Sequence, residues 1–167
     1  MKIIETERLY LRELWVEDKK ELMKVLSNPE SMQFYSHPFC EEEVEKWINW
    51  NIENYQKYKH GLWAVISKDD EIFLGDCGIT MQNIDDETVP EIGFHIIKKY
   101  CNSGFATEAA LACKEYAFQV LKYSKVFSYT TIKNASSRKV AEKIGMQFYK
   151  YFEKNGEKHI VQVAFKK

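Results

Sequence analysis

No stretch of this sequence approaches the roughly 20 consecutive apolar residues that a helical membrane span requires, so a membrane partner is not expected. Charge of one sign is missing too: 24 lysines and arginines face 25 aspartates and glutamates, and no long basic block occurs. There is then no broad attraction to a phosphate backbone, and nucleic acid is not an expected partner. Cysteine is sparse and scattered. Cys40, Cys77, Cys101 and Cys113 form no C-x-x-C pair and have no histidine at metal spacing, which argues against a zinc site and a disulfide framework and for reduced thiols. The amino terminus, Met1-Lys-Ile-Ile-Glu-Thr-Glu-Arg8, turns charged too early for a secretory signal, so the expected location is cytoplasmic. Repeats, low-complexity tracts and linkers are absent as well, and one domain over residues 1–167 is expected.

What is present is apolar surface: 45% of residues are hydrophobic and 14% aromatic, enough for a chain of 167 to bury one good core. Arg8 to Glu13 alternates with Leu9 and Leu11 on one side, as a first strand does. Glu17 to Ser27 is rich in helix formers and stops at Asn28-Pro29. Val44, Trp47, Ile48, Asn51, Ile52 and Tyr55 recur at helical spacing behind the acidic start Glu41-Glu42-Glu43. Between these helices the aromatic loop Phe34 to Phe39 reads as a rim. Leu62–Ile66 and Ile72–Met81 suit a hairpin, Gln82 to Thr88 a polar loop, and Val89–Ile97 a further strand. From Ala106 to Leu121 the period becomes helical, with a stripe of mostly small residues that lets a helix approach a sheet closely. A strand at 126–131, a short helix at 135–144 with Gly145 as its cap, and a terminal hairpin about Asn155-Gly156 complete the chain. Strands and helices mixed in this way predict an α/β (α+β) fold.

The stretch from Pro90 to Ala110 runs strand, polar loop, glycine, helix. Such a join aims unpaired N–H groups and the positive end of the helix dipole at one place, an anion site. Gly104 lets a phosphate near the backbone, and Asn102 or Ser103 is suited to cap the helix.

Tyr100-Cys-Asn-Ser-Gly-Phe-Ala-Thr-Glu-Ala109 resembles the coenzyme A pyrophosphate loop of GNAT acetyltransferases, whose pattern is Gln or Arg, two residues, Gly, one residue, then Gly or Ala. Gly104 and Ala106 match; Cys101 departs from the Gln, Arg or Trp found there. Thr6-Glu-Arg-Leu-Tyr-Leu-Arg12, Glu91-Ile-Gly-Phe94 and Asn134-Ala-Ser-Ser-Arg-Lys-Val-Ala-Glu-Lys-Ile-Gly-Met146 resemble, in turn, the opening strand, the fourth strand and the later motif of its ribosomal-protein-acetylating branch, with Met146 replacing a phenylalanine. The resemblance covers almost the whole chain.

It implies a GNAT-like mixed sheet of about seven strands flanked by about four helices, and acetyl-CoA as co-substrate without a metal. Residues 102 to 107 (Asn102, Ser103, Gly104, Phe105, Ala106 and Thr107) would present main-chain amides to the diphosphate. Strand 89–97 would splay from strand 126–131, with Ile96 and Ile97 offering backbone hydrogen bonds to pantetheine and a strand N–H stabilising the oxyanion. Glu91 is the candidate general base, acting through water, with His95 ranked below it as an alternative. Asn134 is a natural helix cap and by resemblance also a pantetheine contact. Many family members place a tyrosine acid seven residues after that asparagine; here Ala141 stands there, leaving Ser137, Tyr129 or water to protonate the thiolate. His37 reads as an exposed loop residue, Cys113 as core, and Trp47, Trp50 and Trp63 as packing. The acceptor is expected to be an amine, a protein N-terminus or a small molecule, toward which the acids Glu41–Glu43 and Asp85–Glu87 would draw a cation if they are more than solvated carboxylates. The protein would work as a monomer or homodimer. The competing reading is a catalytically silent acyl-CoA sensor.

Overall fold

Leu9 and Leu11 are fully buried in strand β2 (Leu9–Glu13), and an edge strand that the sequence did not announce, β1 (Lys2–Glu5), pairs with it. The computed structural model describes residues 1–167. After a 3-10 turn at Val16–Asp18 come α1 (Lys19–Leu26) and α2 (Glu41–Tyr58), then β3 (Leu62–Ser67), β4 (Phe73–Ile84) and β5 (Glu87–Ile96). A second 3-10 turn, Lys98–Tyr100, leads to α3 (Phe105–Gln119), followed by β6 (Lys125–Thr131), α4 (Ala135–Lys143), β7 (Gln147–Lys154) and β8 (Glu157–Phe165). The sheet thus holds eight strands rather than about seven, in the order β1-β2-β3-β4-β5-β6-β8-β7. The addition is β1, whose only apolar residues are Ile3 and Ile4 between charged neighbours.

Both faces of the middle of the sheet are covered. Along β3, Trp63 and Val65 join the cluster built on α3, while Ala64 and Ile66 join the cluster built on α1 and α2. Period-two alternation divides consecutive residues between the two layers. Helix α3 comes close because its inward residues Ala109, Ala110, Cys113 and Ala117 are small and fully buried.

Residues 82–88 are not a loop. Asp85 and Asp86 both take positive φ, 52° and 65°, as the two central residues of a type I′ turn must, and Asn83 Oδ1 accepts the Asp86 N–H at 3.1 Å. Aspartate tolerates that conformation better than most residues, so β4 and β5 stay paired up to Ile84↔Glu87.

The sheet opens in one place. β4 and β5 pair continuously from Gly75↔Ile96 to Ile84↔Glu87, and β6 and β8 from Lys125↔Phe165 to Thr131↔His159. Between them the parallel strands β5 and β6, joined through α3, share only Glu91↔Phe127. Beyond that pair they part, as expected from the sequence.

Candidate functional site

Glu91 stands where the two strands separate. Its carboxylate accepts the Tyr129 N–H at 3.3 Å, bridging the start of the cleft, and the residue is only 8% exposed. Burial pushes its pKa up to about 8, against the lowering effects of the Tyr129 N–H and the Lys154 ammonium. A carboxyl poised there switches between proton donor and acceptor near neutral pH.

The β4–β5 ladder is regular, so Glu91, Gly93 and His95 share one face with Asp76, Thr80 and Gln82 across from them. This face carries a chain of side chains that sequence reading did not connect. Trp47 Nε1–H donates to Asp76 Oδ2 at 3.0 Å, His95 Nδ1 lies 2.7 Å from Asp76 Oδ1, and the Tyr35 hydroxyl is 2.5 Å from His95 Nε2. Asp76 is fully buried. A lone aspartate inside the apolar run Ile72–Met81 was the available signal, since a carboxylate is buried only with partners. Trp47 therefore does more than pack. Further along, the Tyr129 hydroxyl donates to Gln82 Oε1 at 3.0 Å and accepts from Lys154 at 2.8 Å.

The parity of the ladder corrects one cleft residue. Ile97 N–H donates to Leu74 O at 2.8 Å and its carbonyl accepts from Tyr100 N at 2.8 Å, so Ile97 has no backbone group to offer a ligand. Groups alternate along a strand, so Ile96 and Phe94 are the residues whose backbones face the cleft.

At the far end of β5 the chain turns into α3. Gly104 takes the N-cap position at φ 83°, ψ 2°, without a side-chain cap, so neither Asn102 nor Ser103 caps the helix. Glu108 N–H is the first to bond within the helix, to Gly104 O at 3.0 Å, which leaves the amides of Phe105, Ala106 and Thr107 without intrahelical partners. Arg8 braces this corner: Nε pairs with Glu108 at 2.7 Å, Nη1 donates to Ser103 O at 3.0 Å, and the guanidinium lies 4.4 Å over the Phe105 ring. Cys101 hangs its thiol on Ile96 O at 3.5 Å, a local tie in the turn.

On α4, Asn134 Oδ1 accepts Ser137 N–H at 3.2 Å, the cap its residue type predicts, and Ala141 is buried in the core. His37 pairs with Glu43 at 2.7 Å at the surface, outside the Asp76 chain. Half of the acids near the rim are engaged: Glu43 also accepts the Cys40 N–H, Glu41 holds Lys19 together with Glu45, and Asp85 holds Lys150, whereas Glu42, Asp86 and Glu87 form no ion pair. All four cysteines are free, with Cys77 and Cys113 buried 3.7 Å apart. No group of three or more His, Cys, Asp or Glu is placed to hold a metal ion, and no helix is long and apolar enough to cross a membrane.

Comparison with known proteins agrees with this architecture. Residues 8–147 match the model of the acetyltransferase (GNAT) domain. YkkB of Bacillus subtilis is 37% identical over 150 residues, covering 89% of this chain and 87% of its own. The crystal structure of a GNAT-family acetyltransferase from Bacillus anthracis superposes with a TM-score of 0.83 at 27% identity, covering 97% of both chains. The Salmonella typhimurium acetyl transferase that modifies the N-terminal serine of ribosomal protein L7/L12 gives a TM-score of 0.81 over 97% of both chains; at 15% identity that likeness concerns the fold alone.

Proposed function

The chain belongs to the GNAT family and is an acyl-CoA-dependent N-acetyltransferase, and from that premise we propose that it passes the acetyl group of acetyl-CoA directly to a primary amine with Glu91 as general base. One observation carries the assignment: a buried carboxyl with its pKa pushed to about 8 lies where β5 and β6 part.

The cofactor's diphosphate would rest on the amides of residues 104–107, where Gly104 puts no side chain in the way. Its pantetheine arm would take the backbone groups of Phe94 and Ile96, with Asn134 at the opposite wall. That brings the thioester toward Glu91, and holding it beside the amine supplies much of the rate. The amine attacks the carbonyl carbon, a cleft-facing N–H of β5 stabilises the oxyanion, and the C–S bond breaks with its electron pair leaving on sulfur. For the thiolate's proton we assign Ser137, one turn before Ala141 and with a hydroxyl engaged by no other group. Tyr129 already donates to Gln82. Residues 1–167 act here as one unit, monomer or homodimer, in the cytoplasm. The acceptor is a protein amino terminus, as for the Salmonella neighbour, or a small-molecule amine.

Thiol release from acetyl-CoA with a panel of primary amines tests the reading. The wild type should turn over with a rising limb near pH 8, and Glu91→Gln should lose about 10²- to 10³-fold in kcat together with that limb. Tight acetyl-CoA binding without turnover on any amine would instead identify the silent sensor.

A further inference from the structure

Beside Glu91 lies the chain of four side chains from four separate parts of the sequence: Tyr35 from the α1–α2 connection, His95 from β5, Asp76 from β4 and Trp47 from α2. The hydrogen-bond inventory orders its protons. A carboxylate only accepts, and two N–H groups converge on Asp76, so His95 carries its proton on Nδ1. Nε2 of the neutral ring is then a lone pair, and it faces the Tyr35 O–H at 2.5 Å. Asp76 is 0% exposed, and its one ion-pair partner is His95, the neighbour able to gain a positive charge against it. Tyr35 is a phenol, whose ordinary pKa near 10 leaves a proton on its oxygen to pass on at neutral pH. Asp76 lies opposite His95 across the ladder, and Glu91, Asp76 and Tyr129 are the titratable groups felt at Tyr35; α2 presents the neutral Trp47 ring 5.6 Å away.

Gly93 lies between Glu91 and His95 on this face. A Cβ there would meet Glu91 Oε1 at 3.6 Å and Leu62 Cδ2 at 3.7 Å, ordinary contacts, and its φ is not positive. Neither packing nor backbone geometry demands a glycine at this position. Its missing side chain leaves an open floor between the two proton-handling groups.

An alkylamine arrives as an ammonium ion and sheds two protons on its way to an amide, one before its lone pair can attack and one as the new C–N bond forms. We propose that His95 is the acceptor of the first, working through Tyr35: the ammonium gives a proton to the Tyr35 oxygen while the Tyr35 hydroxyl proton passes to His95 Nε2. Asp76 and Trp47 are positioning residues that hold the ring and stabilise the imidazolium. Tyr35 is 45% exposed, so the proton returns to solvent by the path it entered. Glu91 takes the second proton. This rests on acetyl transfer to an amine as proposed above.

The test is kcat/KM from pH 6.5 to 10 with an alkylamine that the wild type acetylates. Tyr35→Phe keeps the ring and removes the relay; it and His95→Gln should each lose about 10- to 100-fold at pH 6.5, and the deficit should shrink toward pH 10, where the neutral fraction of an amine with a pKa of about 10.4 is far larger than at pH 6.5. The double variant should be no worse than either single one. A deficit of constant size across the range, or none in Tyr35→Phe while the wild type turns over, overturns the relay and leaves acetyl transfer standing. A wild type inactive on every amine overturns both. Nitrogen-15 NMR of the resting protein, with His95 identified by the signal lost in His95→Gln, gives a reading free of turnover. Protonated Nδ1 with bare Nε2 at pH 7.5 is expected, and an Nε2 protonated throughout pH 6 to 9 overturns the proposal.

Discussion

The corner before α3 and the face around Glu91 are built by different means. The corner is local: residues 102–107 bring the groups together through backbone conformation, and the groups are amides whose dipoles do not titrate. The face is assembled from residues as far apart as Tyr35 and Tyr129, through strand pairing and helix packing, and its groups are acids and bases. Binding at the corner should therefore be nearly indifferent to pH, whereas the face should imprint pH on both stability and rate.

The largest expected effect breaks that contrast from the side of the face. Glu91 has a folded pKa of about 8 against an ordinary value of 4.5, so from pH 4.5 to 8 the folded chain holds a proton that the unfolded chain has released. Stability must fall as pH rises through that window, and level off on either side of it. Glu91→Gln has no charge to bury. Denaturant titrations should show its advantage over the wild type growing from pH 4.5 to 8, to about 4–5 kcal/mol at most. A constant difference between the two across that range would mean that Glu91 is not held neutral by burial.

The corner is broken by Gly104→Val. A β-branched residue at φ 83° costs about 1–2 kcal/mol locally, and its Cβ would sit 3.3 Å from Arg8 Nη2, in the space assigned to the diphosphate. Acetyl-CoA affinity by calorimetry should drop by about 10- to 100-fold, by the same factor at pH 6 and pH 9, while the protein stays folded. Unchanged affinity would refute the corner as a phosphate site.

That contrast also explains what was legible. A loop, a glycine and a helix start are adjacent in sequence, so the corner could be read from spacing, and Asn134 as a cap needed only its residue type and place. Glu91 followed from resemblance. The Tyr35–His95–Asp76–Trp47 chain could not be read: it needs the register that sets Asp76 opposite His95 and the packing that brings α2 over β4. The exchange of Ile97 for Phe94 as a cleft residue has the same origin, because which amides face the gap depends on the parity of a ladder whose partner strand must be known. β1 escaped because four residues with two apolar side chains carry almost no periodic signal.

The smallest effect decides whether Trp47 belongs to the site or only to the core, as its residue type alone suggested. Trp47→Phe keeps a ring against Phe39 and His95 but removes the N–H that Asp76 accepts, leaving a fully buried carboxylate with His95 as its one donor. A buried acceptor that loses one of two partners costs about 1–2 kcal/mol, or roughly 2–6 °C in Tm for a chain of this length. Trp50→Phe is the internal control, since that indole packs against Trp47 with no hydrogen bond of its own. Both substitutions exchange an indole for a phenyl ring that keeps its place among neighbouring aromatic rings, so ring size alone predicts small and comparable losses. A loss at Trp47 exceeding that at Trp50 by about 1 kcal/mol isolates the hydrogen bond. Equal losses would return Trp47 to packing and leave His95 as the only residue that orients Asp76.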